Sequence, residues 1–396
     1  MFEQVLSFII KYKFVFLFYL AITIFLITKR KKLDFQAKVI ILFRTKFGLR
    51  WMEKFTNRFR EWIILVGYIG VGAGYVGLVF ISYVLIKNIY DMIVNPIAIS
   101  GVSIVLPGIN IPGLGVLPFW HWLIAIFVIA SVHEFSHGIV ARAHKIEVKS
   151  TGVVFLGPII GAFVEPNEKK MAKESDIKQY SVLAAGPFSN IILALVAIVL
   201  MMFVFMPIQD SMVDPNGFTF SSYYDENFPA AKAELIPGTI ITGVNGEITP
   251  GFGEFAEEMY CHKPGDIVKV NTKNGTYPLT LVESPDNQKK GFLGITEIQN
   301  DFELKEKYKN GWGEFVYGAI DWLVQFFKWL FILSLGIGLF NLLPLPIVDG
   351  GRMMQITLHK IKGKEKGEKR YHQISMFFLL ILVISIVYPL ISKLWL

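Results

Sequence analysis

His133, Glu134 and His137 stand in the order HEFSH inside IASVHEFSHGI, residues 129 to 139. Two imidazoles four residues apart share one face of a helix, so His133 and His137 can grip one metal ion together. Glu134 projects to one side of that pair, where a carboxylate can work on water as a general base. The stretch from Trp120 to about Ala143 that carries them is otherwise mostly apolar. Ionisable groups in such a stretch are costly and mark function by default.

A catalytic zinc takes three protein ligands and leaves a fourth position to water. The HEFSH pentad supplies two. Asp349 is the candidate third, at the end of FNLLPLPIVDGGR, residues 340 to 352. Pro344 and Pro346 stop the helix that precedes it, and Gly350-Gly351 lets the chain turn so that the carboxylate can aim sideways. The remaining histidines compete poorly. His121 lies about 18 Å above His133 by helical rise. His144 falls past the end of the pentad's helix, His262 in a polar segment, and His359 and His372 in a basic loop. Each reads as a surface or interfacial histidine.

The elements that must position these groups are apolar spans. Of 396 residues, 53% are hydrophobic, which suits a polytopic membrane protein with one polar insert. Six spans are expected, near 5–28, 62–86, 119–143, 181–206, 315–343 and 374–391. Residues 29 to 61 hold eleven Lys/Arg against three acids, so this loop should stay in the cytoplasm. Both termini then lie outside, and the pentad and Asp349 both reach the cytoplasmic leaflet. The net charge of +7 comes from basic residues flanking apolar spans, a membrane-surface pattern that gives no nucleic-acid site. The single cysteine, Cys261, excludes an intrachain disulfide and a thiolate metal cluster.

Between the spans, VIILF and the spaced Phe47, Trp51, Phe55 and Phe59 predict either an amphipathic helix on the membrane surface or a connecting loop. Gly70 and Gly74 allow close helix packing. Residues 87 to 118 read as an external loop, and 353 to 372 as a cytoplasmic one. TGVVFLGPIIGAFVE, residues 151 to 165, is too short to span as a helix and predicts a β-hairpin. Its segment 152 to 165, with Gly161 and Phe163, would offer an edge strand to an unwound substrate. Residues 208 to 309 carry sixteen acids and nine bases with frequent Gly, Pro, Asn and Asp. They predict a small folded domain of short strands outside the membrane. Four regions follow: 1–90, two spans with a basic loop; 91–207, the pentad helix, hairpin and next span; 208–309, the insert; and 310–396, the Asp349 segment and last span.

Three motifs in order, HEFSH, AAGPFSN (residues 184 to 190) and NLLPLPIVDGG (341 to 351), resemble the site-2 protease family of intramembrane zinc metalloproteases. The resemblance covers about 119 to 205 and 315 to 355. GAFVEP, residues 161 to 166, is similar to the archaeal and bacterial branch, and FPAAKAELIPGTIITGVNGEIT in the insert resembles a PDZ domain. The implied fold class is a polytopic α-helical membrane protein of about six spans, with a membrane-associated β-hairpin and an inserted α/β PDZ-like domain. The implied activity is zinc-dependent cleavage of transmembrane-helix substrates after a prior extracytoplasmic cut. His133, His137 and Asp349 would hold one zinc ion, with Glu134 as base. The resemblance further implies that Asn190 and Asn341 line the cleft. The insert would meet a substrate's ectodomain or C-terminus, or exclude bulk. Two other classes use the same residues: a metal transporter or sensor, and a PDZ adaptor with an inactive core. Neither needs Glu134.

Overall fold

The computed structural model describes residues 12–36, 40–94, 105–111, 114–157, 159–285 and 287–395. The chain divides into two compact units, Met1–Met201 with Gln325–Leu396, and Met202–Val324. In the first unit, α1 (Lys13–Thr28) leads into two strands, β1 (Leu33–Gln36) and β2 (Ile40–Thr45). There follow α2 (Leu49–Val94), α3 (Phe119–Ala143), β3 (Val148–Leu156), β4 (Ile159–Pro166) and α4 (Asp176–Leu200).

The expected hairpin is β3–β4, but it is half of a larger object. The four strands form one antiparallel sheet in the order β1-β2-β3-β4, with Ile41 opposite Phe155 and Val153 opposite Ala162. This corrects the reading of IILF, residues 40 to 43, as part of a surface helix or loop, while Trp51, Phe55 and Phe59 do lie exposed on a helix. Ile40–Thr45 is a strand, and the helix begins only at Leu49. The run IILF is short and β-branched, so it fits a strand once a partner is present. That partner, β3, is more than a hundred residues away and leaves no local trace. Beyond Leu49 the helix continues through a non-helical Phe59 (φ −119°, ψ 24°), a kink that separates residues 49–58 from the long apolar part. Phe47, Trp51, Phe55 and Phe59 remain exposed along it.

The glycines of α2 are contact points. A Cβ on Gly70 would lie 3.2 Å from Phe188, and one on Gly74 would lie 3.1 Å from Met353 and 3.3 Å from Ala184. Helix α2 thus lies close to α4, as small-residue spacing predicts. Helix α1 meets the sheet through Phe25, whose ring sits 5.4 Å from Phe43 and 6.1 Å from Phe155.

The second unit has its own sheet. Strands β5 (Val213–Tyr223), β6 (Ile241–Val244), β7 (Ile267–Thr272), β8 (Gly275–Thr280) and β9 (Ile295–Leu304) are ordered β8-β7-β6-β5-β9, with α5 (Phe252–Met259) beside them. Phe218, Phe220, Ile241, Phe255, Val268 and Val270 make its core. A cavity of about 170 Å³ opens between α5 and β9, lined by Phe255, Met259, Phe292 and Ile298.

The chain then forms α6 (Gly311–Phe340), whose first part to Val324 belongs to the second unit and whose remainder belongs to the first. It ends with α7 (Asp349–Lys362) and α8 (Lys364–Trp395). The stretch 353 to 372 is therefore helical, not a loop. Its one break is Gly363, at φ 77°, a left-handed residue that closes α7. Among the described residues five helices are long and apolar enough to cross a membrane: Leu49–Val94, Phe119–Ala143, Asp176–Ser211, Gly311–Phe340 and Lys364–Tyr388. Of the expected first span, residues 5 to 11 lie outside the described residues, and the rest is the 16-residue α1. Much of the expected loop 87–118 is likewise outside them. Its start is the end of α2, and Asn110–Ile111 pairs with Gly115–Val116.

Candidate active site

His133 and His137 are buried on α3, one turn apart, with Nε2 atoms 3.1 Å from each other. Asp349 Oδ2 lies 3.2 Å from His133 Nε2 and 3.4 Å from His137 Nε2. The carboxylate gets there because α6 stops at Phe340 and the chain folds back on itself. The Gly350 N–H donates to the Asn341 carbonyl at 2.8 Å. A Cβ on Gly350 would overlap the Leu342 backbone, and one on Gly351 the Leu345 backbone. Only glycines let α7 start so close to the end of α6. Asp349 is then the first residue of α7.

The faces of the imidazoles turned away from Asp349 are also occupied. His137 Nδ1–H donates to the Val182 carbonyl of α4 at 2.6 Å. That bond sets the tautomer and leaves the Nε2 lone pair pointing at Asp349. His133 Nδ1 lies 3.2 Å from the Asn190 amide nitrogen, and Asn190 is fully buried. Asn190 Oδ1 has no hydrogen-bond partner among the described residues. A half-turn of the amide lets Oδ1 accept from His133 Nδ1–H, so both faults vanish and the His133 Nε2 lone pair is freed. Ser334 Oγ of α6 donates to the Asn190 backbone carbonyl at 2.7 Å and ties that residue down. Gly186 backs both rings. A Cβ there would come within 2.6 Å of His133 Nε2 and closer still to His137 Nε2.

Two lone pairs and a carboxylate oxygen crowded this closely repel unless a cation sits among them. Two nitrogens and one oxygen, within 4.8 Å of one another, are a donor set that suits a catalytic zinc with an open position. The residues present therefore fit the ion.

Glu134 lies beside this group. Its Oε2 accepts the Val164 N–H of β4 at 3.0 Å. A cleft of about 400 Å³ opens here, lined by Glu134, His137, Val164, Glu165, Asp349 and Arg352. The Ser150 hydroxyl, and after it Arg44, hold the Glu165 carboxyl below its ordinary value. Arg352 pairs with Glu168 at 3.2 Å at the side of the cleft.

The other sites named from sequence fall as follows. Gly161 is buried where β4 approaches α3, with 3.8 Å between a Cβ there and Ala130. Phe163 is half-buried under the Arg44 guanidinium, 5.7 Å from its ring centre. Asn341 holds Gly350 through its backbone. His121 and His144 are buried, against the expectation of surface positions; His144 Nε2 is 3.3 Å from Ser181 Oγ, and the His121 ring lies tilted beside Phe326, 6.3 Å between centres. Both sit where α3 packs on neighbouring helices, a fact set by packing and not by distance from the pentad. His359 and His372 share Glu368, at 2.7 and 3.0 Å. None joins the group at Asp349. Sequence reasoning missed Val182, Val164 and Gly186. Two of these act through main-chain atoms and one through having no side chain, so residue type carried no signal for the first two. Gly186 was visible only as part of AAGPFSN.

A helical membrane protein that gathers two histidines, an aspartate and an adjoining glutamate in this way has the architecture of a membrane metallohydrolase. The model of Peptidase family M50 matches residues 121–385, and the chain belongs to this family, the site-2 zinc metalloproteases. An uncharacterized protein of Methanocaldococcus jannaschii is 28% identical over 317 residues, 78% of this chain and 75% of that protein. Zinc metalloprotease RasP of Shouchella clausii is 25% identical over 282 residues, 60% of this chain and 64% of RasP. Protease RseP of Yersinia pestis is 25% identical over 210 residues, 39% of this chain and 46% of RseP. The chain thus spans less than two thirds of either named protease.

The bond from His133 to Asn190 has a measurable weight. Asn190→Ala should weaken zinc retention about 10- to 100-fold, as loss of a ligand's outer partner does, in a chelator competition. An unchanged affinity would show that the bond contributes nothing.

Proposed function

We propose that this chain hydrolyses peptide bonds within the transmembrane segments of membrane proteins. His133, His137 and Asp349 hold one zinc ion, and Glu134 is the general base. The observation that carries the reading is the meeting of three donor atoms at one point, with a second carboxylate, Glu134, beside them held by the Val164 main-chain N–H. The ion, when bound, supplies Lewis-acid activation of water and of the scissile carbonyl. Glu134 takes the proton from the attacking water and returns it to the leaving amine. His137 keeps its orientation through Val182, and His133 through Asn190. A transporter or sensor would use the ligands but leave Glu134 without a task. Glu134→Gln should retain zinc and lower cleavage of a transmembrane substrate by about 10²- to 10⁴-fold in the purified protein. Wild type that binds zinc yet cleaves no tested substrate would favour transport or sensing.

A substrate helix hides its peptide bonds in internal hydrogen bonds and must unwind locally before cleavage. In our reading β4 receives the unwound strand. It is the last strand of its sheet, and the Val164 N–H leaves that sheet toward Glu134. Amide directions alternate along a strand, so the Ala162 and Ile160 N–H groups point out on the same side. Strand addition there brings the substrate backbone past Glu134, with Gly161 and Phe163 in the receiving strand. Ala162→Pro removes an outward donor and no ladder bond. It should lower cleavage at least about tenfold with zinc content unchanged; full activity in this variant would reject strand addition.

The active site faces the cytoplasmic leaflet in this reading, by the basic segments at 29–61 and 360–370. The insert lies on the other side as a PDZ-like domain and meets the ectodomain or fresh C-terminus left by an earlier cut. The cavity between α5 and the outer strand β9 supports such binding, since an edge strand beside a helix is a receptor for extended peptide. Deleting 208–309 should then permit cleavage of substrates whose ectodomain is intact. Selectivity that survives the deletion would count against the insert as a selector.

A further inference from the structure

Arg44 lies in the basic segment that reads from sequence as a topology signal, yet its guanidinium touches every strand of the four-stranded sheet. From β2 it donates through Nε and Nη2 to Asp34 Oδ2 of β1, at 3.3 and 3.1 Å. Through Nη1 it donates to Ser150 Oγ of β3 at 3.1 Å, and it forms an ion pair with Glu165 of β4. Ser150 Oγ donates in turn to Glu165 Oε2 at 2.7 Å. The guanidinium also sits over the Phe163 ring of β4. Phe163 and Glu165 are the two neighbours of Val164, the residue whose N–H holds Glu134.

An edge strand is tied to its sheet on one side only, so its outward amides are the least constrained part of it. Here the amide that matters is pinned by its two flanking side chains, both gripped by one planar group that cannot lose its charge. We propose that Arg44 is a positioning residue for Glu134, acting through β4. It fixes the Val164 amide, and the amide fixes the carboxylate at the distance and angle that proton transfer needs. The proposal rests on the reading of Glu134 as the general base. It also assigns a task to the N-terminal region that lies outside the family match.

A purely structural role for the cluster predicts less folded enzyme or poorer substrate pairing. A positioning role predicts a slower chemical step at unchanged binding. Arg44→Gln, Arg44→Lys, Val164→Pro, the Arg44→Gln/Val164→Pro double variant and Glu134→Gln are to be compared in the full chain. Zinc content and kcat and KM on a transmembrane substrate are read for each, per zinc-loaded molecule. Arg44→Gln should lower kcat about ten- to a hundredfold, the scale of a small misplacement of a reacting group. KM should stay within about twofold, since the outward N–H donors of β4 at Ile160 and Ala162 are kept. Arg44→Lys should recover part of the loss, because it keeps the charge but not the fork. Val164→Pro removes the donor itself and should lose as much as Arg44→Gln, with the double variant no worse than either. Wild-type kcat in Arg44→Gln or Val164→Pro, a rise in KM alone, or losses that multiply in the double variant would each overturn the proposal. Should Arg44→Gln not fold, Arg44→Lys and Val164→Pro still decide it. Activity in Glu134→Gln would instead overturn the general-base reading on which it rests.

Discussion

Two imidazole nitrogens of α3 and one carboxylate oxygen of α7 meet within 3.4 Å of one another in apolar surroundings. Polar groups in such a place are tolerated only when each is satisfied. The rest of the first unit can be understood as meeting that demand. Val182 takes one N–H, Asn190 faces the other ring, Ser334 fixes Asn190, and Gly186 leaves room for both rings. The glycines after Asp349 meet the same demand from the other side, since a single methyl group at either would push α7 away from the end of α6. Small residues and main-chain atoms do most of this work because a larger group at the centre would occupy the space of the ion.

Glu134 obeys a different rule. As the proposed base it must move a proton, so it cannot be buried in strong partners, yet it must not wander. A single N–H from β4 meets both needs. The cost is that the geometry of the carboxylate depends on a sheet edge. Two of the four strands that steady this edge come from residues 33–36 and 40–45, ahead of the region matched by the family, which starts at residue 121. The N-terminal region is thus built into the sheet that touches Glu134, whatever else its helices do in the membrane.

The polar insert stands apart in its physics. Its core of Phe218, Phe220, Ile241 and Phe255 is closed within its own sheet and helix, and it needs no apolar solvent. A segment with this composition folds in water by burying one face of a sheet, as the membrane unit does not. One chain therefore carries two kinds of core, and the polar stretch lies within the second compact unit, Met202–Val324.

The residues of the centre were legible because each carries its own chemistry. HEFSH points through spacing alone to two histidines on one helix face with a carboxylate beside them, the proposed ligands and base, and PLPIVDGG points to a carboxylate at a helix break. The apolar spans, the hairpin at 151–165 and the polar insert were legible for a similar reason, since composition and local period report on the segment itself. What the sequence could not reveal is whatever depends on a distant partner. Ile40–Thr45 is a strand only because Val148–Leu156 lies beside it, and residues 353–372 are helical because α7 and α8 pack on one another. His144 is buried because α4 covers it. Val182 and Val164 matter through main-chain atoms that every residue has. Arg44 reads as one more loop cation until the fold sets Asp34, Ser150, Phe163 and Glu165 around it. Chemical identity is written in single residues, but position belongs to pairs of segments, and only the tertiary structure brings those pairs together.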